Sequence, residues 1–166
     1  MKTSMLGALA GAGVLVAVPT YALAAHVLVD HGRGPTVVHD AAYAEITTQV
    51  HSWATADGTD LRLMVRGLPA NRTFGAHVHT GSCGTDPLAS GGHYQHGTDT
   101  TVPLASREVW LDFTTDADGK GVGTTHIPWL IAAGTAGSVV IHANPTNTTT
   151  GAAGARLVCT SVPFGQ

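Results

Sequence analysis

The sequence predicts an all-β protein, built as a sandwich or barrel of seven or eight short antiparallel strands. Three observations support this prediction. The chain has 166 residues, of which 43% are hydrophobic and only 11% charged, which favours one domain with an apolar core. Short β-prone runs recur along it, separated by turn signals rich in glycine, of which there are 21. Neither an internal repeat nor a convincing helical pattern interrupts this succession, which is typical of a sandwich or a barrel.

The first 24 residues have the pattern of a signal peptide. Lys2 precedes an uncharged apolar run at 5–18, and a small-residue cleavage site of the A-x-A kind occupies 22–24. The alternative is an uncleaved membrane anchor, because 5–25 is nearly long enough to span a bilayer. Pro19 interrupts the run and favours cleavage. We therefore predict a secreted or periplasmic (cell-envelope) protein without a stable membrane span after cleavage.

Residues 25–42 are predicted to form an amino-terminal arm, either irregular throughout or ending in a first strand. The arm carries three histidines that could collect metal, although we interpret them as solvated: His26, His31 and His39. A single domain at 43–166 is expected to follow. The formal net charge of −3 comes without a basic patch, which argues against nucleic acid as a partner.

The strands of this domain are predicted from alternating apolar and polar residues. The alternation is clearest at 60–66, where apolar side chains alternate mainly with arginines, as in a half-buried strand. A turn signal at 56–59 joins this strand to its predecessor in a hairpin. The predicted strands lie at 43–53, 60–66, 73–79, 108–114, 122–127, 137–142 and 155–162.

Four histidines from two distant segments form the candidate site. His77 and His79 end a predicted strand two residues apart, so both imidazoles point the same way. His93 follows in a long loop at 80–101, which is glycine-rich and can fold back over the pair; loops of this length are usually functional. His142 ends another predicted strand. Converging imidazoles suit copper or zinc.

The two cysteines lie far apart in the sequence. Cys83 is in the long loop and Cys159 is in the last predicted strand. Export to an oxidising compartment makes a disulfide the expected state, and two free buried thiols the alternative. Closing so long a loop would contribute roughly 4–5 kcal/mol in the chain-entropy model.

Several motifs, from about 60 to 162, resemble in order those of the copper/zinc superoxide dismutase family. The first motif, VRGLPANRTFGAHVH, is similar to the family's Gly-Leu turn and copper-binding strand. The second, SCG, is similar to the segment that carries one cysteine of the family's disulfide. The third, GGHYQH, is similar to its bridging-histidine segment. The last three are TDADGKG, similar to its acidic turn, VVIHAN, similar to the strand of its last copper histidine, and GAAGARLVC, similar to its carboxy-terminal motif.

This resemblance implies a Greek-key β-sandwich or flattened barrel, immunoglobulin-like in architecture. It implies the disproportionation of superoxide to dioxygen and hydrogen peroxide at a copper ion, and it leaves monomer and homodimer open. It also implies residue roles: His77, His79, His93 and His142 bind copper, His93 delivers a proton, Arg156 attracts the anionic substrate, and Cys83 pairs with Cys159.

The sequence departs from the family in its zinc ligands. Val109 and Trp110 stand where the family's zinc aspartate is expected. After His93, the segment offers as zinc candidates only His96, which is unusually close to His93, Asp99 and then Glu108. We therefore predict a copper site with no zinc or a weakly held zinc, as in the copper-only branch of the family.

A second departure is the loop at 144–155, NPTNTTTGAAGA, which contains no charged residue. The family's charged loop steers superoxide to the copper, and such steering can raise association rates by about 10 to 10³-fold. A dismutase without it either works more slowly or depends on Arg156 alone. Two alternatives remain: a copper-binding protein for storage or delivery without turnover, and a secreted binding module whose metal site has decayed.

Overall fold

The computed structural model describes residues 35–165, and strands dominate this part of the chain. The predicted signal peptide, together with His26 and His31 of the arm, lies outside the described residues. No helix within 35–165 is long and apolar enough to cross a membrane. The strands are β1 (Thr36–Val38), β2 (Thr47–Ala54), β3 (Thr59–Arg66), β4 (Thr73–Phe74), β5 (Ala76–His79), β6 (Phe113–Thr114), β7 (Gly121–Ile127), β8 (Ser138–His142) and β9 (Arg156–Ser161).

The strands form two facing antiparallel sheets and a small third one. One sheet has the order β1-β9-β8-β5, the other β2-β3-β7, and β4 pairs with β6. The inward side chains alternate along the strands, so β3 buries Leu61, Leu63 and Val65 as predicted. A hydrogen bond of 2.6 Å between the hydroxyls of Thr48 on β2 and Thr160 on β9 joins the two large sheets. The predicted all-β sandwich is confirmed.

The predicted strand at 73–79 is split into β4 and β5 at Gly75. Its backbone N–H donates to the carbonyl of Asn144 at 2.8 Å, so the chain after β8 passes directly against it. A Cβ at Gly75 would lie 2.7 Å from the Ala153 Cβ and 2.8 Å from the Thr146 hydroxyl oxygen. The missing side chain therefore lets the loop between β8 and β9 approach β5, where two of the candidate histidines lie.

The predicted strand at 108–114 is confirmed only at its end, as β6. The preceding residues run along β5, where Leu111 N–H donates to the Ala76 carbonyl at 2.7 Å and Val78 N–H to the Val109 carbonyl at 3.1 Å. The backbone N–H of Ala76, however, donates to the Asp112 carboxylate at 3.2 Å instead of to a carbonyl. This side-chain hydrogen bond interrupts the ladder, because a side chain takes the place of a backbone partner.

β2 begins at Thr47 rather than at 43, because Ala41–Tyr43 forms a 3₁₀ helix capped by Asp40. Before that helix, β1 pairs with β9, and the N–H of His39 donates to the Leu157 carbonyl at 2.8 Å. His39 is half-buried, and burial followed by the Arg156 charge lowers its pKa. The interpretation of His39 as a solvated tail residue is therefore wrong, because its backbone continues the pairing of β1 with β9.

The predicted disulfide between Cys83 and Cys159 is confirmed. It ties the long loop after β5 to the fully buried middle of β9. The N–H of Cys83 also donates to the Ser161 hydroxyl at 3.0 Å. The loop is therefore held against the outer face of the four-stranded sheet, beside the candidate histidines.

Candidate metal centre

The four candidate histidines meet over the β5–β8 pair of the four-stranded sheet. Pairing of β5 with β8 brings His77 and His79 alongside His142, and the long loop returns to place His93 opposite His79. One ring nitrogen from each histidine lies within 4.8 Å of the corresponding atoms of the other three. Within residues 35–165, this is the one cluster of three or more histidine, cysteine or acidic side chains with metal-binding geometry.

The inner ring nitrogens lie in close pairs. His77 Nδ1 is 2.9 Å from His93 Nε2, and His79 Nε2 is 3.3 Å from His142 Nε2. The sequence predicted that His77 and His79 point to the same side, and they do, although they present different nitrogens. His77 turns Nδ1 inward while the other three turn Nε2 inward.

Three of the outer ring nitrogens face oxygen atoms that can only accept a hydrogen bond. His79 Nδ1 donates to the Gly91 carbonyl and His142 Nδ1 to the Gly154 carbonyl, both at 3.1 Å. His93 Nδ1 donates to Glu108 Oε2 at 2.9 Å. Because a neutral imidazole carries one N–H, the three Nε2 atoms carry lone pairs. Lone pairs that converge in this way, each fixed by an outer acceptor, are the arrangement of a metal site.

Burial keeps three of these imidazoles neutral. It lowers the pKa of His77 to about 2, of His79 to about 3 and of His142 to about 4, with a further lowering from the neighbouring histidines. Metal binding requires the neutral form of histidine, so the fold prepares the ligands at neutral pH without a proton to remove. His93 is the most open of the four, with 19% of its side chain exposed.

Glu108 fills the space behind His93. Its carboxylate is almost fully buried and accepts hydrogen bonds from His93 Nδ1 at 2.9 Å, Trp110 Nε1 at 2.7 Å and Gln95 Nε2 at 2.8 Å. Burial alone raises the pKa of Glu108, but these three hydrogen bonds outweigh it and hold the pKa below its usual range. The outer nitrogen of His93 is thus engaged by a carboxylate and not left free for a second metal.

The loop between β8 and β9 covers the same place. Gly151 has a φ of +72°, and a Cβ there would lie 3.1 Å from Glu108 Oε2 and 3.6 Å from His93 Nδ1. The backbone itself therefore closes over the contact between His93 and Glu108. A side chain at this position would be strained, because the backbone angle favours glycine and a Cβ would crowd the Glu108 carboxylate.

The two weak zinc candidates lie apart from this cluster. The His96 ring stacks on Trp129, with ring centres 4.5 Å apart, and the exposed Asp99 carboxylate accepts hydrogen bonds from the backbone and hydroxyl of Thr101. Neither belongs to the group of converging nitrogen atoms. The described residues therefore assemble four candidate copper ligands and no second metal site beside them.

Arg156 begins β9, next to the histidines. It is the register partner of His142, and its guanidinium donates to the Pro87 carbonyl at 2.8 Å and to the Ser90 hydroxyl at 2.9 Å. Its positive charge contributes to the lowered pKa of His79 and His142, as expected for a cation close to both rings. The loop carrying the disulfide therefore also holds this arginine in place.

Sequence reasoning missed the residues that surround the ligands. Glu108 was considered only as a further zinc candidate, and the parts played by Thr146 and Asp112 were not foreseen. Thr146 Oγ1 lies 2.6 Å from His77 Nε2, the fourth outer nitrogen, and 2.7 Å from Asp112 Oδ1. The available signal was an acidic residue at each end of the apolar run 109–111.

Fold and site together define a β-sandwich protein with a histidine-lined metal centre and an adjacent arginine. Residues 44–162 match the family model described as copper/zinc superoxide dismutase. The chain belongs to this family, as its motifs predicted. Among curated proteins, no sequence matches it significantly.

Two solved structures show how far the likeness extends. A superoxide dismutase-like (SOD-like) protein from Bacillus subtilis is similar at a TM-score of 0.60 and 17% identity, over 76% of this chain and 95% of that one. The Cu/Zn superoxide dismutase from Brucella abortus is similar at a TM-score of 0.54 and 22% identity, over 69% of this chain and 87% of that one. At such identities the likeness supports the fold.

Proposed function

We propose that the protein is an exported superoxide dismutase that uses copper alone. The observation that carries the proposal is the set of four converging imidazole nitrogens with a guanidinium beside them. The cluster offers nitrogen ligands to a metal, and the arginine offers a permanent positive charge to an anion. Superoxide is the anionic substrate that the family membership suggests.

His77, His79, His93 and His142 would hold the copper ion. When bound, copper would supply one-electron chemistry, by which one superoxide is oxidised to dioxygen and a second is reduced to hydrogen peroxide with two protons. Imidazole ligands suit copper. The proposal includes no zinc ion, because the outer nitrogen of His93 already donates a hydrogen bond to Glu108.

The protein's own residues would guide the substrate and supply a proton. Arg156 is held by Pro87 and Ser90 at the edge of the site, where its charge would attract and orient the anion. His93 is the most exposed of the four ligands, so we assign the delivery of a proton to it. Glu108 would keep the Nδ1 proton of His93 in place while this happens.

Export is supported by the disulfide, because such bonds persist in oxidising compartments and are rare in the cytosol. A cleaved signal peptide at 1–24 is part of the proposal. It predicts that the protein found outside the cytoplasm begins near residue 25, which amino-terminal sequencing would test.

The deciding experiment measures superoxide decay catalysed by protein loaded with copper and no zinc. A rate near the diffusion limit, about 10⁸–10⁹ M⁻¹s⁻¹, is expected for an efficient dismutase. The control is a variant with His77→Ala and His79→Ala, which lacks two ligands. A wild-type rate no higher than that of this control would contradict the proposal.

The Arg156→Ala variant tests the role of the arginine. We expect about a tenfold or greater loss of rate at low ionic strength with little loss of bound copper, because the charge would act on the anion and not on the metal. Arg62→Ala, which removes an exposed arginine from β3, is the matched control. Equal losses of copper and activity in Arg156→Ala would remove the steering role.

A copper carrier without turnover is the second candidate. The uncharged loop at 144–155 favours it, because that loop provides no steering field. A carrier should exchange its copper rapidly with a chelator and should tolerate Arg156→Ala without loss of function. Slow exchange together with rapid superoxide decay would exclude it.

A further inference from the structure

The fourth outer nitrogen differs from the other three because its partner is a hydroxyl. His77 Nε2 lies 2.6 Å from Thr146 Oγ1. A hydroxyl can donate or accept, so this contact by itself leaves the proton of His77 on either nitrogen. With the proton on Nδ1, an N–H would point at His93 Nε2, which is 2.9 Å away inside the cluster.

Asp112 settles the direction of this hydrogen bond. Its Oδ1 lies 2.7 Å from the Thr146 hydroxyl, and a carboxylate only accepts. The single hydroxyl proton therefore goes to Asp112, and Thr146 Oγ1 accepts from His77 Nε2–H. Nδ1 of His77 is left with its lone pair facing inward, like the three Nε2 atoms.

The carboxylate is itself held in one orientation. Oδ1 also accepts from the Ala76 N–H at 3.2 Å, and Oδ2 accepts from the Thr146 N–H at 2.9 Å. Gly75 leaves room for the Thr146 side chain, since a Cβ there would come within 2.8 Å of its oxygen. Asp112 thus binds the strand before His77 and the loop after β8 at once.

We infer that Asp112 is a positioning residue that acts through the Thr146 hydroxyl to fix the His77 tautomer, and so presents Nδ1 of His77 to the metal. The inference deepens the proposed function and rests on it where it names the metal as copper. The uncharged loop at 144–155 also has a role in the site, because its Thr146 hydroxyl links the Asp112 carboxylate to His77.

The test is NMR of metal-free protein with ¹⁵N-labelled histidine rings, because nitrogen shifts and two-bond couplings show which nitrogen carries the proton. In the wild type we expect the proton of His77 on Nε2. In Thr146→Val the hydroxyl acceptor is gone, and Asp112 Oδ1, which is 3.8 Å from His77 Nε2, lies beyond hydrogen-bond distance. The proton is therefore expected to move to Nδ1, where His93 Nε2 can accept it. In Asp112→Ala the hydroxyl is free to donate, and a mixture of tautomers is expected.

Two further variants separate this role from a general structural one. Thr146→Ser keeps the hydroxyl and should keep the wild-type tautomer. Asp118→Asn changes an exposed acidic residue of a turn and should also leave it unchanged. Backbone amide spectra of every variant identify those that fold, and Asp112→Ala carries the test if Thr146→Val does not.

A wild-type proton on Nδ1 of His77 would overturn the inference, and so would an unchanged tautomer in the folded Asp112→Ala or Thr146→Val protein. These results do not depend on turnover, because no metal is present. A wild type with the expected tautomer but no superoxide activity would refute the proposed function and leave the positioning role intact.

Discussion

Each histidine of the cluster is fixed by a partner on its outer side, and the partners differ in kind. Two are backbone carbonyls, of Gly91 and Gly154. The other two are side-chain groups, Glu108 behind His93 and the Thr146 hydroxyl behind His77. The orientation of His93 and His77 therefore depends on single side chains, and substitutions of Glu108 and Thr146 should reveal this dependence.

Glu108 offers the sharpest such test of stability. Replacing it with alanine would leave three donors without their acceptor, on His93, Trp110 and Gln95. A buried donor without a partner costs about 1–3 kcal/mol. His93 and Trp110 are half-buried and Gln95 is exposed, so we expect Glu108→Ala to lower the free energy of unfolding by about that amount in total. Chemical denaturation of the metal-free protein measures it.

The matched control for Glu108→Ala is Glu45→Ala, which removes an exposed carboxylate just before β2 and should change stability by less than about 0.5 kcal/mol. Equal effects of the two substitutions would mean that the buried carboxylate does not organise the site. Tighter zinc binding by Glu108→Gln would indicate that the carboxylate alone keeps the outer nitrogen of His93 from a second metal.

At the scale of elements, the loop after β5 serves the centre in three ways. It carries His93, it supplies the Gly91 carbonyl to His79, and it holds Arg156 through Pro87 and Ser90. The disulfide fastens this loop to β9. Stability and the position of the arginine should therefore depend on the same covalent bond.

Removing the disulfide should affect both the stability of the protein and the position of Arg156. Cys83 and Cys159 are separated by 76 residues, and the loss of so large a closed loop is expected to cost about 4–5 kcal/mol in the chain-entropy model. We expect Cys83→Ser to unfold at lower denaturant and to lose superoxide activity while it is still folded. Wild-type protein treated with reductant should reproduce both effects, and the untreated wild type is the control. Full activity in the reduced, folded protein would show that Arg156 keeps its place without the disulfide.

The sequence predicted the sandwich and the orientation of His77 and His79 from short-range patterns, and it predicted the full set of four ligands from the resemblance to the family. The two-residue spacing of His77 and His79 needs only the geometry of a strand. The partners of these ligands could not be predicted in the same way, because Thr146 and Asp112 meet His77 only through the path of a loop. The strand predicted at 108–114 was wrong at its start for a related reason, since the Asp112 side chain replaces a backbone partner of β5.

At the scale of the whole molecule, neutral buried histidines make the stability of the metal-free protein depend on pH. In the unfolded chain, His77, His79 and His142 take up protons near pH 6.5. In the folded protein their pKa values are about 2, 3 and 4, so they stay neutral until the pH is much lower. The unfolded state therefore binds more protons in this range, and stability falls as the pH falls below about 6.5.

Each of the three histidines can contribute up to about 1.4 kcal/mol per pH unit, so a loss of several kcal/mol is expected for metal-free protein between pH 7 and pH 5. The lowered pKa of His39 acts in the same direction over this range, and the lowered pKa of Glu108 does so only at more acid pH, in the ordinary range of a carboxyl group. Denaturant midpoints at pH 7.5, 6 and 5 measure the effect.

His142→Gln is the matched variant for this pH dependence. It removes one of the three histidines whose pKa is lowered. Between pH 6.5 and 4, the pH dependence of its free energy of unfolding should therefore be weaker than that of the wild type by about 1.4 kcal/mol per pH unit. If the metal-free wild type is as stable at pH 5 as at pH 7.5, these imidazoles are protonated in the folded protein, and the converging lone pairs on which the copper site depends are not preformed.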